Sequence, residues 1–322
     1  MTKKIIIFSG EPNSINSEII FKSWRKLNNS IKKKIYFISN FDLLSDQFKK
    51  LKYSIDLVKV NNFEKSSISD NKLKVINVNL NFKNSFAVKD KDTTNYVLNS
   101  LNLMHKFALR KDVKGVINCP INKHNLKKKK IGVTEFLANK CKIKNDAEVM
   151  LLRNKYLSVC PVTTHIDVKD IKKKLKSKLI IKKINTISNW YKKNLKKKPS
   201  FGILGLNPHN AELRPASEEK LVIIPTIKKL KHNGINVQGP LVADTLFIDE
   251  YKKFDIIVGM YHDQVITPFK TIFKFDAINV TLGLKYLRTS PDHGTAIKLI
   301  GKNKANPNSL VECIKFINNS NK

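Results

Sequence analysis

Three of the chain's seven histidines fall where an α/β protein places its chemistry. The seven are His105, His124, His165, His209, His232, His262 and His293. His165, His209 and His262 each follow a short β-branched run, in Thr163-Thr164-His165, Asn207-Pro208-His209-Asn210 and Tyr261-His262-Asp263-Gln264. Neutral imidazoles bind divalent cations well, and three of them leave coordination positions open for a substrate. Their separations of 44 and 53 residues match no local metal motif. A cation site therefore requires the fold to gather them; a lone histidine after a strand is otherwise an ordinary loop residue. Lys270 lies eight residues past His262, and Arg288 precedes Thr289-Ser290-Pro291-Asp292-His293-Gly294. Arginine forks onto an anion and lysine supplies a compact charge, so the pair suits a phosphorylated or carboxylated substrate. Lys270 is one basic residue among 61, whereas Arg288 is one of only five arginines.

Short strand-like runs alternate with amphipathic stretches. Lys4–Ser9, Lys34–Ser39, Gly115–Cys119, Tyr156–Thr163, Ser200–Leu206, Asp255–Met260 and Ala277–Thr281 read as strands. Ser17–Leu27, Phe41–Leu51, Asp92–Lys111, Asp167–Lys197 and Pro215–Asn233 read as helices, with a helix start at Thr295–Ile300. This alternation predicts an α/β fold with a largely parallel sheet. In such sheets ligands gather beyond the carboxyl ends of strands, where the histidine segments lie. No repeat or long linker appears, which favours two packed lobes.

Composition narrows the class. With 41% hydrophobic residues the chain can build a globular core. No apolar run approaches a bilayer span, and the apolar stretch after Met1 is too short for a signal peptide. Cys119, Cys141, Cys160 and Cys313 form no CxxC pair, so a reducing cytoplasm is expected. The net charge of +35 raises the alternative of a nucleic-acid binder. Against it, arginine is scarce and the lysines are spread along the chain. An abundance of Lys, Asn and Ile suits an A/T-biased genome, with Lys127–Lys130 and Lys196–Lys198 as solvated faces. Neither nucleic acid nor membrane is expected as a partner.

Several segments together resemble the 4-hydroxythreonine-4-phosphate dehydrogenase family of pyridoxal 5′-phosphate synthesis. They are Gly10-Glu11-Pro12, Asn118-Cys119-Pro120-Ile121-Asn122-Lys123, Gly132-Val133-Thr134-Glu135-Phe136-Leu137, Val162-Thr163-Thr164-His165 and Leu206-Asn207-Pro208-His209. Gly239 through Phe247, Tyr261-His262-Asp263-Gln264, Asn279 through Leu284 and Arg288 through Ala296 complete the set. The resemblance runs to about Pro307. It implies a two-lobed α/β/α subunit of the isocitrate/isopropylmalate dehydrogenase type. Residues 1–125 plus 270–322 would form an outer lobe carrying a non-Rossmann nucleotide loop, and 126–269 an inner lobe with metal ligands and dimer contacts. It also implies a homodimer with shared active sites, NAD or NADP, and one divalent metal per site (Zn, Co, Mn or Mg). His165, His209 and His262 would bind the metal, one of them contributed across the dimer. Thr134, Lys270, Asn279 and Arg288 would bind the small phosphorylated substrate. His293, Gly294, Thr295, Ala296 and Asn306 would hold the nucleotide. Asp244 and Lys270 are the candidate bases, and Asp263 suits orientation of a ligating histidine.

The chain departs from the family pattern in places. Val133 replaces a histidine that contacts substrate, with Lys123 or His124 as substitutes. Asn13 through Ser17, Asn210-Ala211-Glu212 and Gln264-Val265 lack expected glycines; Asn tolerates left-handed backbone, and Val tolerates it poorly. Val133 keeps open a sister dehydrogenase acting on another phosphorylated hydroxy acid. A pseudoenzyme that keeps its metal for dimer stability is a further alternative.

Overall fold

The computed structural model describes residues 2–63, 71–122, 124, 126, 132–143 and 148–320. The strands in chain order are β1 (Lys4–Phe8), β2 (Ile35–Ser39), β3 (Leu57–Val60), β4 (Leu73–Asn77), β5 (Val113–Asn118) and β6 (Val149–Arg153). They continue with β7 (Ser158–Pro161), β8 (Phe201–Leu204), β9 (Val237–Leu241), β10 (Ile256–Gly259), β11 (Ile278–Leu282) and β12 (Arg288–Pro291). The helices of two turns or more are α1 (Asn16–Lys26), α2 (Phe41–Lys50), α3 (Asp90–Ala108) and α4 (Val133–Lys140). They continue with α5 (Ser177–Leu195), α6 (Ile224–His232), α7 (His262–Phe273) and α8 (Asn308–Asn319). The fold is α/β, and the chain divides into two compact units, Met1–Cys141 with Leu284–Ser320, and Lys142–Gly283. Lys270 and Asn279, placed in the outer lobe by the expected boundaries, thus share a unit with the three histidines.

The first unit carries strands in the order β3-β4-β2-β1-β5-β12, every pair parallel. Ile5 through Phe8 and Ile35 through Ile38 are buried without a break, the unalternating pattern of central parallel strands covered on both faces. Helix α3 packs on β1, β2 and β5, and α8 packs on β12, β5 and β1. Burial of Tyr96, Val97, Leu101, Met104, Phe107 and Ala108 follows the helical period. The Asn40 side chain caps α2 by accepting from Leu43 N at 2.9 Å.

The second unit has the order β11-β6-β7-β10-β8-β9. Here β6 runs antiparallel to both β7 and β11, so the unit's sheet is mixed. Its core joins Leu152, Val159, Leu204 and Ile257 of the strands to Val265, Ile266 and Phe269 of α7.

Several expectations are corrected. Asp167–Lys197 is not one helix: the chain is extended at Leu175 and Lys176, where Leu175 turns into the core, before α5 begins. Thr295–Ile300 forms only a short 3-10 turn at Ile297–Leu299, after a left-handed Ala296 with φ 46°. Tyr261-His262-Asp263-Gln264 is not a loop; His262 opens α7 directly. Val265 therefore has ordinary helical backbone, and its glycine-free position carries no left-handed strain. Strand β12, Arg-Thr-Ser-Pro, is not among the expected strands, and it is fully buried.

Candidate functional site

In the second unit, register decides which histidines meet. Strands β7 and β10 are parallel neighbours with Pro161 opposite Gly259. His165 and His262, four and three residues beyond those positions, leave the same sheet edge side by side. Val162 N donates to Gly259 O at 2.8 Å, and Thr163 Oγ1 donates to Met260 O at 2.7 Å, extending the pairing past the strand ends. The imidazole centroids of His165 and His262 lie 6.0 Å apart.

The turn into α7 is braced. Gln264 Oε1 accepts from Met260 N, and its Nε2 donates to Gly205 O, each at 2.7 Å. Gly259 is required there, because a Cβ would lie 2.5 Å from Val265 Cγ1. Asp263 Oδ1 sits 2.7 Å from His262 Nδ1. A carboxylate on Nδ1 leaves Nε2 with its lone pair free for a cation, the usual orienting arrangement around a ligating histidine.

His209 is held differently. Residues His209 to Leu213 all have positive φ, from 42° at Glu212 to 56° at Asn210. Left-handed backbone costs roughly 1–2 kcal/mol per non-glycine residue. The segment is anchored by Glu219, which is wholly buried; its Oε1 accepts from Leu206 N at 2.7 Å and from Asn207 N at 2.8 Å. Asn207 Nδ2 adds a bond to Glu219 Oε2 at 3.0 Å, and Asn210 Nδ2 donates to Pro240 O at 3.1 Å. Burial alone would raise the Glu219 carboxyl, but these donors outweigh it and hold its pKa below the ordinary value. His209 Nε2 faces Asp244 Oδ2 at 3.6 Å, both side chains exposed.

Two of the three expected metal ligands are thus adjacent. Among the described residues, no group of three His, Cys, Asp or Glu side chains is gathered as a cation would need. The His165–His262 pair fits two positions on one cation, and further donors are required to close the set. Lys270 is half-buried on α7. Asn279, on β11 opposite Leu152 of β6, has its Oδ1 enclosed without a hydrogen-bond partner. An enclosed, unsatisfied amide oxygen costs about 1–3 kcal/mol, which a donor on a ligand would recover.

In the first unit, Arg288 begins β12 beside β5 and is 3% exposed. Its Nε donates to Asn118 Oδ1 at 2.8 Å, and its Nη1 to Thr134 Oγ1 at 3.3 Å. Burial lowers the guanidinium pKa to about 10, so it stays charged at neutral pH. Asn118 and Thr134 orient it, and the nearby Glu135 carboxylate acts against the effect of burial, so a charged, oriented guanidinium is on hand for an anionic ligand. Val133 takes the first position of α4 next to Thr134 and offers no polar atom from its side chain. His124 is exposed, with its N–H bonded to Asn122 Oδ1, and Lys123 lies outside the described residues.

The segment His293–Asn306 belongs to the same unit. His293 Nδ1 lies 3.0 Å from Gly294 O, and Thr295 O accepts from Ile15 N at 3.2 Å. At Gly294 a Cβ would meet only open space, and Ala296 and Gly301 turn the backbone left-handed. An approachable, glycine-bearing backbone fits a dinucleotide held without a GxGxxG turn. Sequence reasoning passed over Asn118, Glu219 and the bracing role of Gln264. Asn118 and Gln264 lie inside motifs already singled out. Glu219 carried only the faint signal of being an acid in a chain where acids are scarce.

A family model described as pyridoxal phosphate biosynthetic protein PdxA matches residues 30–317. A 4-hydroxythreonine-4-phosphate dehydrogenase from Sulfurihydrogenibium sp. is 36% identical over 97% of this chain and 97% of its own length. The enzyme of that name from Zymomonas mobilis is 31% identical over 99% of this chain and 96% of its own. The crystal structure of 4-hydroxythreonine-4-phosphate dehydrogenase from Klebsiella pneumoniae superposes with a TM-score of 0.82 at 25% identity, covering 98% of both chains. With a match this long and relatives this similar end to end, the chain belongs to the PdxA family of pyridoxal phosphate biosynthetic proteins.

Proposed function

We propose that the chain is an NAD(P)-dependent, metal-assisted dehydrogenase of pyridoxal 5′-phosphate biosynthesis. It oxidises 4-(phosphooxy)-L-threonine to 2-amino-3-oxo-4-(phosphooxy)butanoate, which loses CO₂ to give 3-amino-2-oxopropyl phosphate. The observation that carries this reading is the His165–His262 pair, 6.0 Å between centroids, in a member of a family whose relatives are named for the reaction.

His165, His209 and His262 would hold the divalent cation, in a homodimer with shared sites. Arg288 and Thr134 bind the substrate phosphate, aided by Lys270. Asn279 turns its enclosed Oδ1 toward a donor on the substrate. His293 through Ala296, with Asn306, receive NAD or NADP. When bound, the cation polarises the substrate hydroxyl as a Lewis acid and the nicotinamide accepts the hydride. Asp244 and Lys270 are the groups proposed to take the hydroxyl proton. Asp263, on His262 Nδ1, would leave Nε2 as the ligating atom. A cytoplasmic location accords with this chemistry; among the described residues no helix is long and apolar enough to cross a membrane.

One feature favours a second reading, a sister dehydrogenase for another phosphorylated hydroxy acid: Val133 stands where the family pattern has a polar contact. Following reduced nicotinamide with 4-(phosphooxy)-L-threonine and with a phosphorylated sugar acid, before and after chelation and metal restoration, tests both. Turnover of the first substrate alone, lost on chelation, supports the main reading. Turnover of only the second replaces it.

A further inference from the structure

We infer that Glu18 and Lys22 are positioning residues for nucleotide binding, because together they clamp the backbone of residues 303–305 that leads into Asn306. The inference rests on the reading that residues 293–306 receive NAD(P). Glu18 lies in the first turn of α1 and is 1% exposed. Its Oε1 accepts from Ala305 N and from Lys22 Nζ, each at 2.7 Å, while Oε2 is enclosed with no hydrogen-bond partner. Lys22 Nζ also donates to Asn303 O at 2.9 Å and to Ala305 O at 3.1 Å. An ammonium has three protons, and these three acceptors account for all of them. Next to Lys22, Ser23 Oγ donates to Pro307 O at 3.3 Å, and one turn on Lys26 Nζ donates to Asn308 Oδ1 at 2.8 Å. The chain around Asn306 has no regular structure of its own, with left-handed turns at Gly301 and Asn303.

Merely attaching a helix to a loop does not need this arrangement. A buried ion pair costs desolvation that a well-packed apolar pair avoids, so an apolar contact would hold α1 and the loop together as well. What the charged pair adds is direction. One acceptor aimed at Ala305 N–H and two donors aimed at the carbonyls of 303 and 305 fix the peptide planes leading into Asn306. Ser23 holds the Pro307–Asn308 plane beyond it. The side chain and backbone of Asn306 are thereby presented in one orientation before any nucleotide arrives.

The test uses the full-length protein with Glu18→Gln and Lys22→Met. Glu18→Gln keeps an acceptor for Ala305 N–H but removes the charge that holds Lys22; Lys22→Met alters a partly exposed helix face and guards against loss of folding in the first variant. Binding of NAD and NADP is measured by calorimetry, and amide hydrogen exchange over 293–306 is followed with and without nucleotide. Each variant is expected to weaken nucleotide binding by roughly tenfold, the loss typical of one charge-assisted contact. Exchange over 301–307 should speed up, and KM for the phosphorylated substrate should stay within about twofold. Unchanged nucleotide affinity in both variants, or equal losses for nucleotide and phosphorylated substrate, would overturn the inference. A wild-type protein whose 293–306 amides gain no protection from nucleotide would instead overturn the underlying reading of that loop.

Discussion

Arg288 opens strand β12 and His209 lies in the turn after β8, and they are held in opposite ways. Arg288 is buried and charged, and Asn118 and Thr134 are among the groups that hold it. His209 is exposed, rides a left-handed turn of non-glycine residues and faces Asp244 rather than another imidazole. An anion needs one well-oriented fork, and one strand pair can supply it. A cation needs several donors at one point, and among the described residues the register of β7 and β10 brings His165 and His262 together without a third such donor. The first setting is completed by partners of one unit brought together by strand pairing, whereas the second needs donors beyond the His165–His262 pair.

His209→Ala should have the largest effect. Alanine keeps the backbone of the turn, so circular dichroism and melting should be near wild type while turnover falls by at least about 10³-fold. Wild-type activity in this variant would remove His209 from the cation site. Next, Arg288→Lys keeps the charge but loses the fork. KM for the phosphorylated substrate should rise by roughly ten- to a hundredfold with nucleotide affinity unchanged. An unaltered KM would show that the phosphate is bound elsewhere.

Glu219→Gln probes the anchor of the His209 turn. It weakens charge-assisted bonds to Leu206 N and Asn207 N, and stability should drop by about 1–3 kcal/mol in denaturant melts. The pH dependence has a definite sign. A carboxyl whose folded pKa is depressed stabilises fully above its unfolded pKa, near 4.5, and that stability is lost as pH falls through the folded pKa. The wild-type protein should therefore lose stability below about pH 4.5 more steeply than Glu219→Gln. Parallel acid profiles would contradict the anchoring role. Smallest of all, Glu212→Gly relieves a left-handed position with φ 42° on an exposed residue and should stabilise by about 1 kcal/mol. A loss of stability would show that the turn is not strained there.

Much of the fold could be read from the residues. The unbroken apolar runs at Ile5 and Ile35 and the helical stripe through Tyr96, Leu101 and Phe107 point to their elements because burial imposes its period on them. Strands β9 and β12 were illegible, since Gly-Pro in one and Arg-Thr-Ser-Pro in the other mimic loops. Their place comes from partners far along the chain, β8 for one and β5 for the other. The break at Leu175 was hidden for a related reason: a lysine-rich helix pattern continues across it, and only the need to bury Leu175 interrupts it.

By itself the sequence determined which side chains are available, three histidines after strands, one rare arginine in a lysine-rich chain, and the motifs of the PdxA family. It could not determine which of them touch. That His165 meets His262 follows from the register of β7 against β10. That Arg288 finds Asn118 follows from the pairing of β12 with β5 across 170 residues of chain. The physical reason is the same in both cases. Residue type and local period are written along the backbone, but distances between remote side chains are set by hydrogen-bond register and packing, which exist only once the strands have paired.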